Sequence, residues 1–218
     1  MASKIAIIGT GYVGLTTGAC LAHLGHDVTC ADVVPDKVEA LNAGRIPILE
    51  AGLDELVAEG AAAGRLRFVL GARTAVADAE FVFLCLPTPQ GADGAADLSF
   101  IKDAAADIGP ALQPQAVVIN KSTVPVGSAG EVARKLARDD VHVVSNPEFL
   151  REGTAVADFL HPDRVVIGAS DDTAAKRVAE LYANLPGEVV LTDPASAETI
   201  KYASNAFLAT KISFVNAV

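Results

Sequence analysis

The sequence predicts an open, doubly wound α/β sheet of mostly parallel strands, and three observations carry that expectation. Short β-branched runs at 4–8, 27–31, 67–70, 81–84, 116–119, 141–144, 164–167 and 188–191 alternate with longer stretches rich in Ala, Glu, Lys, Arg and Leu. Many of these runs are apolar at both alternating positions, the pattern of a strand covered on both faces. Polar segments bearing Gly or Pro follow several of them, at 87–97, 121–127 and 145–153. In a parallel sheet these are the loops beyond the carboxyl ends of the strands, where ligands bind.

Composition supports a folded chain and narrows its partners. Its 218 residues are 51% hydrophobic, enough to bury a core and too apolar for disorder. Lys+Arg number 17 against 27 Asp+Glu, a net charge of -10, with no basic run; neither nucleic acid nor an anionic membrane is an expected partner. No apolar run approaches the ~18–20 residues of a membrane span. The first residues lead directly into a strand, without the charged start of a signal peptide. Cys20, Cys30 and Cys85 form neither a disulfide framework nor a metal knuckle, which suits the reducing cytoplasm. His23, His26, His142 and His161 lack metal-ligand spacing, so no metal site is expected.

Taken in order, the first run ends in Gly9-Thr10-Gly11-Tyr12-Val13-Gly14 and opens a helix. Gly9 allows a tight turn, Gly11 lets a pyrophosphate approach the backbone, and Gly14 permits close helix–strand packing. The helix N-terminus supplies N–H groups and a positive dipole end for phosphates. The second run leads to Asp32, where a carboxylate would hold both ribose hydroxyls and repel a 2′-phosphate, favouring NAD over NADP. Strand, glycines, helix and acid together predict a Rossmann-type dinucleotide site. Taken singly, the glycines are a turn and Asp32 a surface acid.

The fourth run leads into Leu86-Pro87-Thr88-Pro89, where Thr88 touches a cofactor or the prolines stiffen a loop. After the fifth comes Lys121-Ser122-Thr123-Val124-Pro125-Val126-Gly127. This segment would bring an ammonium and a hydroxyl to the cleft, with Thr123 holding a water or a carboxylate; a helix cap followed by a Pro turn fits equally well. In the segment after the sixth run, Glu148 and Glu152 flank Phe149, Leu150 and Arg151. If this stretch is helical, the two carboxylates share a face, one as general base and one for ligand hydroxyls. The alternative is a solvated helix start with an Arg–Glu pair.

Asp193-Pro194 reads as a capped helix start, and no Gly or Pro follows through 218. Glu198, Lys201 and Asn205 line one face of this helix, nearly opposite the apolar stripe of Ile200, Ala203, Phe207, Phe214 and Val218. Lys and Asn together would stabilise a developing oxyanion, although the same spacing describes a wet helix face. The stripe expects a partner surface, so the chain reads as a piece of a longer protein. The expected division is a dinucleotide-binding domain at 1–192 and the first part of a connecting helix at 193–218. Cys20 and Cys30 are expected in the core, and Cys85 as packing near the cofactor.

The phrases IAIIGTGYVGL, LPTPQ, NKSTVPVGS, NPEFLREGTAVADFLHPDRVVIG and AETIKYASNAFLATKISFVNAV, in this order, resemble the UDP-glucose/GDP-mannose dehydrogenase family. KSTVPVG and PDRVVIG are most similar to its UDP-glucose branch. The resemblance implies NAD as cofactor and UDP-glucose as substrate, oxidised through four electrons to UDP-glucuronate. GDP-mannose or a UDP-N-acetylhexosamine would be the alternative substrate, and a non-catalytic NAD-binding module the alternative role. By position, it implies NAD contacts at Gly9, Gly11, Tyr12, Val13, Gly14, Asp32, Lys37, Thr88, Thr123 and Glu152. Sugar-nucleotide contacts would fall to Glu148, Phe149, Leu150, Arg151, Glu152, Lys201 and Asn205. Thr123 and Glu148 would position or activate water, while Lys201 and Asn205 would stabilise charge on the reacting oxygen. The family's nucleophilic cysteine lies in a Gly-rich segment downstream of the terminal helix. The chain alone is therefore expected to bind NAD without turnover, and the whole protein to be a homodimer through the central helix region. Two departures, Glu50-Ala51-Gly52-Leu53 for an EPGL-like segment and Asn216-Ala217 for Asn-Glu, carry little expected function.

Overall fold

A computed structural model describes residues 2–218. Eight strands form one sheet: β1 (Lys4–Ile8), β2 (Asp27–Asp32), β3 (Leu66–Leu70), β4 (Phe81–Leu84), β5 (Val117–Asn120), β6 (His142–Ser145), β7 (Arg164–Ala169) and β8 (Glu188–Thr192). Their spatial order is β3-β2-β1-β4-β5-β6-β7-β8. All neighbours run parallel except β6 and β7. The expected doubly wound sheet is therefore present, with one antiparallel step. The chain steps outward from β1 to β3 and then returns to β4 on the other side of β1. A ligand cleft belongs at that reversal.

Helices cover both faces. On one lie α1 (Tyr12–His23), α2 (Pro35–Asn42), α3 (Leu53–Ala62), α7 (Ala155–Leu160) and α8 (Asp172–Glu180); on the other lie α4 (Ala72–Val76), α5 (Ser99–Ile108) and α6 (Ser128–Leu136). Strand alternation divides the core accordingly. Ile5, Ile7, Phe81, Phe83, Val117 and Ile119 point into the first layer, and Ala6, Ile8, Val82, Leu84 and Val118 into the second. In the central strands β1, β4 and β5 both positions of the alternation are buried, which is why these runs read as apolar throughout, whereas the edge strands β3 and β8 keep exposed positions.

The last helix, α9 (Pro194–Ala217), starts where the sequence indicates: Asp193 accepts from the Ser196 N–H at 2.9 Å. Its first turns press on β7, where a Cβ at Gly168 would lie 2.5 Å from the Ala197 Cβ. Beyond them it leaves the sheet, and Phe207 and Phe214 are 72% and 68% exposed. Among the described residues no helix is long and apolar enough to cross a membrane.

Candidate active site

The reversal between β1 and β4 opens a cleft of about 550 Å³ at the carboxyl ends of the strands. Gly9, at φ +96°, turns the chain out of β1; a Cβ there would lie 2.5 Å from the Cys85 carbonyl oxygen. At Gly14 it would lie 1.9 Å from the carbonyl oxygen of Gly9. The closest constraint on Gly14 is thus the turn itself, with the Cys85 Cβ at the end of β4 next at 3.1 Å, and tight helix–strand packing continues one turn later. There a Cβ on Gly18 would sit 2.6 Å from the Cys30 Sγ, a feature the glycine motif does not announce. A Cβ on Gly11 would have no neighbour within 4 Å. The backbone at the start of α1 is therefore open to a ligand, and the first N–H groups of a helix lack intrahelical partners.

Asp32, at the end of β2, also lines the cleft. Its Oδ2 accepts from Thr10 N at 3.0 Å, Thr10 Oγ1 at 2.6 Å and Lys37 Nζ at 2.9 Å. Its Oδ1 accepts from the N–H groups of Val33 and Val34 at 2.8 and 3.2 Å. Burial pushes this carboxyl up, but hydrogen bonds from Thr10 and Lys37 outweigh it and bring the pKa down to about 2. An open glycine backbone at a helix N-terminus and a fixed anion at the next strand end fit the pyrophosphate and ribose of a dinucleotide.

Two loops meet at the opposite wall. Thr88 Oγ1 donates to the Thr123 carbonyl at 2.8 Å, and both threonines line the cleft. Ser122 Oγ accepts from Leu86 N at 2.9 Å and donates to the Leu86 carbonyl at 2.7 Å. The KSTVPVG segment follows neither reading in full: Thr123 faces this cavity but Lys121 does not line it, and no Ser or Thr side chain of the segment caps α6, whose N-cap is Gly127, while Ser122 ties the two loops together. Tyr12 and Val13 line the same cavity. The phenol of Tyr12 is buried without a hydrogen-bond partner, and burial with Glu50, Glu152 and Glu148 nearby pushes its pKa far up. Cys85 is buried at the cleft floor, its thiol pushed up to about 12 by burial.

The segment after β6 corrects one expectation. Residues 146–150 are not helical, so Glu148 and Glu152 share no helical face. Pro147 disfavours the helical region for Asn146, and Asn146 is anchored on three sides. Its Nδ2 donates to the Val166 carbonyl at 2.8 Å, and its Oδ1 accepts from Tyr182 Oη at 2.6 Å and Lys121 Nζ at 3.2 Å. This non-helical course carries Glu148 to the cleft, where Oε1 accepts from Lys201 Nζ at 2.9 Å. Glu152 is exposed. Arg151 pairs with Asp158, Nε to Oδ2 at 3.1 Å, rather than with a glutamate. The Phe149 ring lies 4.7 Å from the Arg164 guanidinium and 5.2 Å from Lys201 Nζ, and Leu150 packs on the core. A second cavity of about 310 Å³ adjoins this segment, and Glu148 and Lys121 both line it. Lys121 is buried, which lowers its pKa to about 8.

On α9 the face assigned to the site is packed at Glu198 and Lys201 but not at Asn205. Glu198 and Lys201 are 2% and 6% exposed, whereas Asn205 is exposed and the apolar stripe faces outward. The reason lies in partners: Lys201 reaches Glu148, and Glu198 reaches the backbone at the start of α6. Sequence reasoning also missed Glu50, a buried carboxylate accepting from Gly153 N at 2.8 Å and Ala155 N at 2.7 Å. It caps α7 from across the domain, and the EAGL segment was its only signal. Among the described residues no group of three or more His, Cys, Asp or Glu side chains is placed to hold a metal ion.

A glycine-turned cleft and a fixed aspartate define a dinucleotide-binding domain, with a carboxylate–ammonium pair at the edge of its cleft. Residues 3–186 match the UDP-glucose/GDP-mannose dehydrogenase family, NAD binding domain, and residues 195–218 match its central domain. The chain belongs to this family, and NAD is the cofactor of the domain it contains. It is 50% identical to UDP-glucose 6-dehydrogenase of Rhizobium meliloti, over 99% of this chain and 52% of that protein. Among solved structures, it superposes on a UDP-glucose dehydrogenase from Pyrobaculum islandicum with a TM-score of 0.96, at 42% identity over 100% of this chain and 52% of that one. It superposes on a GDP-mannose dehydrogenase from Pseudomonas aeruginosa with a TM-score of 0.93, at 34% identity over 98% and 51%. The chain spans about half the length of the curated relatives it matches.

Proposed function

We propose that the whole protein is a UDP-glucose 6-dehydrogenase, oxidising the sugar C6 hydroxyl to the carboxylate of UDP-glucuronate with two NAD reduced. Residues 1–192 are its NAD-binding domain and 193–218 the first part of its connecting helix. The observation that carries this reading is Glu148, which lines the NAD cleft and bonds to Lys201. Greater identity to UDP-glucose than to GDP-mannose dehydrogenases supports the choice of sugar.

When bound, NAD accepts the hydride that leaves C6. Gly9, Gly11 and Gly14 shape the turn that receives the pyrophosphate, with Tyr12 and Val13 beside it. Asp32 holds the ribose hydroxyls, oriented by Lys37. Thr88 and Thr123 fix the reacting end, and Glu152 closes the rim. Lys201, joined by the Asn205 amide, offsets the negative charge growing on the C6 oxygen. Glu148 takes up the proton released there and, with Thr123, orients water for the later hydrolysis. Phe149, Leu150 and Arg151 form the wall against which the sugar nucleotide lies. The second oxidation calls for a reactive thiol. Cys20, Cys30 and Cys85 are buried, so we assign that step to the other half of the protein. We place the enzyme in the cytoplasm, as a homodimer whose contacts cover the apolar stripe of α9.

The test is NADH formation by the full-length protein across UDP-glucose, GDP-mannose and UDP-N-acetylhexosamines. The reading predicts highest kcat/KM with UDP-glucose. Preference for another sugar nucleotide reassigns the substrate, and no turnover with any of them leaves a binding module.

A further inference from the structure

Glu198 is a buried carboxylate that none of these roles employs. Its Oε2 accepts from Gly127 N at 2.6 Å, and its Oε1 accepts from Ala129 N at 2.9 Å and Ser145 Oγ at 3.1 Å. The first two donors belong to the start of α6, where a helix leaves N–H groups unpaired and favours negative charge. Gly127, at φ +98°, offers no side chain of its own as a cap. The cap of α6 therefore comes from 71 positions away, on another helix.

Three residues further along α9, on the same helical face, Lys201 Nζ meets Glu148. One turn of α9 thus grips two cleft loops, the one carrying Thr123 and leading into α6, and the one carrying Glu148. We infer that Glu198 is a positioning residue that fixes α9 against α6, so that Lys201 meets Glu148 at the cleft beside Thr123. The inference rests on the proposed role of Lys201 and adds what holds it there.

A double-mutant cycle in the full-length enzyme tests it, with Glu198→Gln, Lys201→Ala and the double variant. Gln keeps the shape but sets an amide N–H₂ against backbone N–H donors. Glu198→Gln is expected to lower kcat by about 10–100-fold, the scale of a misplaced group, and to raise the Kd for NAD far less, since the glycine turn and Asp32 are untouched. In the Lys201→Ala background it should cost less than about twofold more, because the two act as one unit. Losses that multiply, or an unchanged kcat, overturn the inference. Ser145→Ala, which removes a single donor, runs through the same cycle with a smaller loss and the same criterion, should Glu198→Gln fold poorly. A crystal structure of either variant gives an answer independent of activity: the Lys201–Glu148 contact is lost or lengthened, and a contact kept at 2.9 Å contradicts the inference. If Lys201→Ala leaves kcat intact, the catalytic reading fails, while the structure still decides the role of Glu198.

Discussion

Lys201 Nζ lies 2.9 Å from Glu148 Oε1, and the two side chains are only 8% and 13% exposed. The pair joins α9 to the segment after β6 at the edge of the NAD cleft. Removing one partner of such a pair leaves the other charge buried and uncompensated, at a cost of roughly 3–5 kcal/mol. Lys201→Ala should therefore lower the melting temperature as well as turnover. Glu148→Gln should lower kcat by about 10²–10³-fold, within the range of a lost general base or charge stabiliser. Replacing both with apolar residues should recover much of the stability and none of the turnover. Calorimetry and steady-state kinetics on the full-length protein check the two effects separately.

Asp32 accepts five hydrogen bonds before any ligand arrives. Its folded pKa, about 2, lies below its ordinary value of 3.8. Its contribution to stability is therefore complete above that ordinary value and is lost as pH falls through about 2. Asp32→Asn should raise the Kd for NAD by about 10–100-fold, the worth of hydrogen bonds to a charged group. It should also flatten the acid limb of the stability profile. Calorimetric NAD titration and acid melts measure these outcomes.

Gly11 and Gly14 separate fold from binding. Gly14→Ala drives a methyl against the Gly9 carbonyl and should destabilise the domain by about 3 kcal/mol or more, beyond ordinary overpacking. Gly11→Ala meets nothing in the protein; Gly11 sits at φ -70°, which any residue adopts. That variant should melt like the parent and lose NAD affinity, because in the proposed mode its methyl would stand where the pyrophosphate approaches. Melting curves and NAD titrations of both variants decide.

Lys121 sets an alkaline signature. Its pKa is lowered by burial from 10.5 to about 8. Between those two values the unfolded chain binds the extra proton, so this group makes stability rise with pH across that window. The full cost of the buried charge is present below it. Urea unfolding of Lys121→Met against the parent should show that rise missing from the variant.

Much of the fold was legible because burial on both faces writes β-branched runs, and the glycine turn marks where the sheet begins its winding. Asp32 was legible for the same reason: it closes the strand that follows the turn. The geometry of 146–153 was not, because spacing alone cannot distinguish an i, i+4 pair from a non-helical loop pinned by Asn146. Nor was the buried face of α9. Helical periodicity separates polar from apolar sides, but which side packs depends on distant partners, Glu148 for Lys201 and the start of α6 for Glu198. Glu50 was hidden likewise, since its donors lie 103 and 105 positions away.

The most direct measurement of the central claim is a crystal structure of the full-length protein with NAD. The account predicts the pyrophosphate over Gly11, a ribose on Asp32, and the nicotinamide between Thr88, Thr123 and Glu148, within reach of Lys201. NAD bound elsewhere, or a nicotinamide turned away from the Glu148–Lys201 pair, would contradict it.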